Sequence, residues 1–79
     1  MTNREKYNQV FVECFMLEAG TLSDEFAYQS VPEWDSVGHM GLIAGLEEAF
    51  DIMMETDDII DLSSYKMGTD ILAKYKVLI

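Results

Sequence analysis

Glu33-Trp34-Asp35-Ser36-Val37-Gly38-His39-Met40 is the stretch on which the reading of this chain turns. Just before it, Pro32 has no N–H to donate and restricts Val31 to extended conformations, so the backbone approaches Ser36 outside any helix. Beyond it, apolar residues recur at helical period. Ser36 therefore stands at a helix N-terminus, where the first N–H groups lack intrahelical partners and the aligned peptide dipoles leave partial positive charge. A phosphate ester on its hydroxyl would sit in a favourable field. The same residues also support a plainer reading, in which Asp35 or Ser36 only caps the helix.

At about 100° per residue, the segment from Ser36 to Phe50 sorts into two faces. His39, Leu42, Ile43, Leu46 and Phe50 gather on the core side. Val37, Met40 and Ala44 form an outer apolar strip, flanked by Glu47 and Glu48 and adjoining Gly38, Gly41 and Gly45, which is available for docking together with Asp35. Each glycine costs about 1 kcal/mol relative to Ala inside a helix. Two accounts offset that cost: close approach of a partner or a covalently attached arm, or tertiary packing within the domain. His39, flanked by apolar residues and aimed at the core, reads as a hydrogen-bonded structural residue and not as a catalytic base.

Upstream, Thr2 and Glu5 fit a capping box, and Tyr7, Val10, Phe11, Cys14 and Leu17 draw an apolar stripe. The spacing predicts a first helix from about Asn3 to about Glu18, ended by Ala19-Gly20-Thr21 with Gly20 in a left-handed conformation. A long loop follows from Thr21 to Asp35, pinned by Leu22, Phe26, Tyr28 and Val31. Loops of that length in a small domain are often functional. Downstream, Phe50-Asp51-Ile52 closes the second helix, and Thr56-Asp57-Asp58 opens a short third one containing Ile59, Ile60 and Leu62. Ser63 to Gly68 reads as a connector, and Thr69 or a neighbour caps a last helix with Ile71, Leu72, Tyr75 and, at its end, Leu78 on its apolar face. The fold class is all-α: a bundle of three main helices plus one short helix, with a long loop between the first two.

The 79 residues make one domain, 1–79, with room for a single core. No apolar run approaches the length of a membrane span, and the polar opening Thr2-Asn3-Arg4-Glu5 is unlike a signal peptide, so a cytoplasmic protein is expected. Cys14 is the one cysteine, which excludes an internal disulfide and a cysteine-based zinc site. Fifteen acidic residues stand against five basic ones, for a net charge of −10. The basic residues Arg4, Lys6, Lys66, Lys74 and Lys76 all lie near the two ends, whereas the interval between Tyr7 and Tyr65 holds thirteen carboxylates and no Lys or Arg. Such a surface repels nucleic acid and anionic lipid and steers basic protein partners towards it. No nucleophile with a nearby base and no phosphate-cradling glycine loop can be assembled, so an enzyme is not expected. Asp51, Glu55, Asp57 and Asp58 lack the ligand order of a calcium loop, so any cation there is weakly held and no metal site is assigned.

Taken together, Asp35-Ser36-Val37 at the start of the second helix, Leu42 and Leu46 along it, Glu47-Glu48 before Phe50 and Asp51-Ile52 after it resemble an acyl carrier protein. Thr56-Asp57-Asp58 and Thr69-Asp70-Ile71 continue the resemblance over nearly the whole chain. It implies an acyl-carrier-like bundle without catalytic activity of its own, acting as a monomer. Ser36 would receive 4'-phosphopantetheine from coenzyme A through a phosphopantetheinyl transferase, and acyl groups would ride on the arm as thioesters. Acyl-loading and acyl-transferring enzymes with basic docking patches are the implied partners. The resemblance further suggests that cargo is held between helices, in an interior to which Met16, Met40, Met53, Met54 and Met67 could adapt.

Gly38 and Gly41 stand where carriers of primary fatty-acid synthesis usually have acidic residues, and Trp34-Asp35-Ser36-Val37-Gly38-His39-Met40 looks more like specialised, stand-alone bacterial carriers outside the housekeeping synthase. The Gly-Gly-His-Ser type of motif common around the serine of peptidyl carriers is absent. An aminoacyl or peptidyl carrier serving a stand-alone adenylating enzyme, and an unmodified helical adaptor that binds partners through its acidic face, are the alternative readings. Crowded carboxylates repel one another in every one of them. Added salt or divalent cations are therefore expected to raise the melting temperature, and a melting temperature indifferent to both would contradict that view.

Overall fold

Three of the helices begin at a side chain that accepts from the otherwise unpaired N–H groups of a first turn. In the computed structural model, which describes residues 1–18 and 20–79, α1 spans Asn3–Phe15, α2 Ser36–Phe50, α3 Thr56–Asp61 and α4 Tyr65–Lys74. Among the described residues there is no strand, only an isolated antiparallel bridge between Ala27 and Ser64. The capping box forms as the sequence predicts, with Glu5 N–H donating to Thr2 Oγ1 and Thr2 N–H to Glu5 Oε1, both at 3.1 Å. Asp35 caps α2 and Ser64 caps α4. The bounds of α2 are those read from its periodicity.

Several boundaries differ from expectation; α3 ends at Asp61, with Leu62 as its C-cap, and α4 ends at Lys74, with Tyr75 as its C-cap and Leu78 exposed beyond it. α1 stops at Phe15, short of Glu18, because Met16 turns left-handed (φ 53°) and both Met16 and Leu17 return their N–H groups to Val12 O. That turn lays the half-buried Leu17 against the core. Gly20 does have positive φ, but in the loop beyond, and Ala19 lies outside the described residues. At α3 the capping position falls on Glu55 instead of Thr56, and no side chain of α3 caps it. Its free N–H is met from across the fold, by Tyr75 Oη at 2.9 Å. α4 begins at Tyr65, four residues ahead of Thr69, and so takes in Gly68, which the sequence assigns to a connector.

Tertiary contact explains that last difference. Tyr7, Phe11 and Phe15 follow one another at intervals of four along α1 and are all buried, adding Phe15 to the predicted stripe and leaving Val10, Cys14 and Leu17 at its half-buried margin. Tyr7 reaches across to α4 and donates its hydroxyl to Tyr65 O at 2.6 Å. A Cβ at Gly68 would lie 2.0 Å from that hydroxyl. Phe11 makes edge-on contacts with Tyr7, Phe26, Trp34 and Tyr65, at centroid distances of 4.9 to 6.3 Å. Such pairs each add about 0.5–1.5 kcal/mol beyond the area they bury. Leu42, Leu46, Leu62 and Leu72 close the core around these rings with no exposed surface.

The glycines of α2 answer to packing in different degrees. A Cβ on Gly45 would approach Val10 Cγ1 to 2.9 Å, and one on Gly38 would overlap the Glu33 carbonyl oxygen at 1.9 Å. At Gly41 it would meet only Cys14 Sγ, at an ordinary 3.6 Å. Gly41→Ala is thus expected to stabilise the fold by up to about 1 kcal/mol through helix propensity. Gly68→Ala should cost about 2 kcal/mol or more, because Tyr7 must give way. Urea unfolding of the two variants beside the wild type checks both signs.

Candidate functional site

The loop ahead of α2 is fastened before it reaches Ser36. Tyr65 N–H donates to Phe26 O at 2.7 Å and Tyr28 N–H to Ser63 O at 2.8 Å, tying the loop to the start of α4. The chain then doubles back through a turn in which Ser30 N–H donates to Ala27 O, and Trp34 N–H to Val31 O. Trp34 is delivered fully buried between Phe15 and Phe26, with ring centroids at 5.2 and 5.5 Å in near-stacked geometry. The close passage of Glu33 over α2 that this requires is possible because Gly38 carries no side chain. Trp34 is the anchor that sequence reasoning missed. The available signal was a lone tryptophan two residues before the helix, with a histidine five residues further on as a possible partner for its N–H.

That partner is found. Trp34 Nε1 donates to His39 Nδ1 at 3.0 Å, which assigns the remaining imidazole proton to Nε2, where it is donated to Ile59 O at 2.7 Å. His39 is therefore occupied on both nitrogens and joins the loop, α2 and α3. Ser36 is the first residue of α2 and is exposed. Asp35 caps the turn beneath it, its Oδ1 accepting from Gly38 N–H at 2.8 Å and its carbonyl from His39 N–H at 2.8 Å. Beyond the Asp35 cap no acidic residue lies in the first turn of α2, so that one carboxylate is what offsets the partial positive charge of the helix end. Among the described residues no base is hydrogen-bonded to the Ser36 hydroxyl. Its hydroxyl is open to other molecules.

Beside Ser36 lies a pocket of about 400 Å³ between α2, α3 and the loop. Met40, Ile59, Ile60 and Leu62 give it an apolar wall, Tyr28 and Ser63 its loop side, and His39 its back. α3, only six residues long, is positioned from α4. The buried carboxylate of Asp58 accepts from Lys74 Nζ and from Tyr75 Oη, while the same tyrosine oxygen accepts from Glu55 N–H. The ammonium and phenol hydrogen bonds hold the Asp58 carboxyl below the usual carboxylate range, and the same contact raises Lys74.

The predicted docking residues separate by environment. Val37, Met40 and Ala44 stand exposed along one line of α2, and Ile60 of α3, also exposed, continues the apolar surface across the pocket mouth. Asp35 is exposed but committed to its cap. Glu47 is not free on the rim: half-buried, it turns back to accept Met54 N–H at 2.8 Å and secures the exit from α2. Glu48 faces a different depression, a groove of about 610 Å³ between α1 and α2 that also contains Cys14 and Gly41 and does not reach Ser36. Burial pushes the Cys14 thiol up, and its Sγ donates to Gly38 O at 3.5 Å, as befits a small structural residue. The adaptable methionine interior is not found, since only Met54 is buried while Met16, Met40, Met53 and Met67 are exposed. Their place is taken by aromatic rings and leucines. Of the acids considered for a cation, Asp58 is turned to Lys74 and Tyr75, and among the described residues no cluster of three or more His, Cys, Asp or Glu could hold a metal ion.

Comparison with family models, curated proteins and solved structures found no match to this chain. The geometry of the α3 anchor makes its own prediction. Because the Asp58 carboxyl is depressed in the folded state, the stability it contributes is present above the ordinary Asp value and is lost as pH falls below about 4. The melting-temperature gap between wild type and Asp58→Asn should therefore be widest near neutral pH and shrink in acid, as thermal melts across that range would record.

Proposed function

We propose that this chain is a carrier protein, bearing 4'-phosphopantetheine on Ser36 and delivering acyl intermediates, held on the arm as thioesters, to partner enzymes. The observation that carries the reading is the position of Ser36: exposed, first in α2, at a helix N-terminus capped by Asp35, and at the lip of an apolar pocket. A phosphodiester there is favoured by the helix end, and the pocket offers shelter to an apolar group at the far end of a flexible arm. The resemblance of the Asp35-Ser36-Val37 region and of the residues downstream to acyl carrier proteins supports the same reading.

In this reading the chain works in the cytoplasm as a monomer with no catalytic role, and the arm raises the local concentration of its cargo at each enzyme in turn. A phosphopantetheinyl transferase would meet the exposed strip of Val37, Met40 and Ala44. Basic patches on that enzyme and on the acyl-loading and acyl-transferring enzymes would find the surrounding negative field, with Glu33, Asp35 and Glu48 as exposed contributors. Glu47 contributes charge but not a free side chain.

Intact-protein mass spectrometry tests the proposal. Incubation with coenzyme A and a broad-specificity phosphopantetheinyl transferase is expected to add the mass of one phosphopantetheine group to the wild type and none to Ser36→Ala. A folded, helical sample that gains nothing with several transferases would overturn the carrier reading in favour of the unmodified adaptor. Loading by an adenylating enzyme with an amino acid, instead of an acyl group, would assign the aminoacyl alternative.

A further inference from the structure

Of the residues that line the pocket beside Ser36, Leu62 belongs to the closed core and two, Tyr28 and His39, touch Trp34, to which only His39 is hydrogen-bonded. Going inwards from Met40 and Ile60, the imidazole of His39 lies nearly parallel to the indole of Trp34, with 11° between planes and centroids 6.2 Å apart. Behind Trp34 come Phe15 and Phe26, and the leucines around them have no exposed surface. On the α3 side, the bond from His39 Nε2 to Ile59 O crosses between the two helices at the level of the pocket. Along this line His39 covers Trp34 from α2, and Tyr28 covers it edge-on from the loop. Its departure would strand two groups at once, the Trp34 N–H and the Ile59 carbonyl, each then unpaired in a partly buried setting.

We infer that His39 is a specificity-determining residue that sets the depth of this pocket, so that the cargo class is a short- or medium-chain acyl group lying along the outer face between α2 and α3. The inference rests on the carrier reading and adds to it which cargo the pocket admits and which residue decides. Met40, Ile59, Ile60 and Leu62 supply the apolar contact, and added chain length beyond the pocket remains in water. Removing the imidazole opens the passage towards Trp34.

A broad-specificity phosphopantetheinyl transferase loads wild type, His39→Ala and His39→Gln from butanoyl-, octanoyl-, dodecanoyl- and tetradecanoyl-coenzyme A, moving the acyl-phosphopantetheine to the Ser36 hydroxyl and releasing adenosine 3',5'-bisphosphate, with loading verified by mass and melting temperature as the readout. In the wild type the melting temperature is expected to rise from butanoyl to octanoyl and then level off. In His39→Ala the tetradecanoyl form should melt roughly 5 °C or more above the octanoyl form, as burial of the additional methylenes predicts. His39→Gln, whose amide can still donate to Ile59 O, should keep the wild-type plateau. Should His39→Ala not fold, His39→Thr, too short to reach Ile59, takes its place. A merely structural histidine would lower every form alike and leave the dependence on chain length untouched. A wild type that keeps gaining stability through tetradecanoyl, or a shortened variant with the wild-type plateau, overturns the inference while leaving the carrier intact. Absence of any mass gain overturns the carrier reading and the inference with it.

Discussion

A tryptophan can be buried only if its N–H finds an acceptor, and in this fold that requirement organises the site. Trp34 supplies the centre of the aromatic core, where truncation of such a residue typically costs about 3–5 kcal/mol. Its acceptor is His39, one turn into α2, so burying the indole also fixes the rotation of that helix relative to the loop before it. The remaining imidazole proton is then spent on Ile59 O, which brings α3 alongside. Ser36 lies between the two bonded residues in sequence. Its exposure and its place at the pocket follow from what Trp34 and His39 do on either side.

The acidic balance has a structural counterpart in how the few cations are used. Lys74 is drawn to Asp58 and Lys66 pairs with Asp70, while Arg4 donates to the Tyr65 hydroxyl at 3.0 Å. All of these contacts involve α1, α3 or α4. Among the described residues none of them lies on α2, and Glu48 has only Lys6, across the groove between α1 and α2, as a cation lining the same depression. Exposed pairs of this kind add little stability. Asp58 differs in being buried, with Tyr75 as a second donor, and its effect is to place a helix too short to hold itself.

Local chemistry was legible in the sequence and long-range chemistry was not. The Thr2–Glu5 box and the full extent of α2 follow from spacing within a few residues, and both appear as read. Gly68 looks like a loop residue until Tyr7, from the far end of the chain, is seen to need the space above it. Glu47 looks like surface charge until the backbone turns under it to offer Met54 N–H. Met16 has nothing in its chemistry to mark a left-handed helix stop, and it takes that role because Leu17 must reach the core. Trp34 and His39 were both in view, five residues apart, yet their bond depends on the Glu33 carbonyl passing over Gly38, a backbone event that periodicity does not describe.

Trp34 is also the chain's only tryptophan. Its emission comes from a single dry environment, hydrogen-bonded to the residue that backs the pocket and stacked on two phenyl rings. Whatever enters the pocket far enough to disturb His39 alters the polarity and hydrogen bonding of that one indole. The protein thus contains an intrinsic fluorescent gauge of its own occupancy, one bond away from the pocket and needing no label.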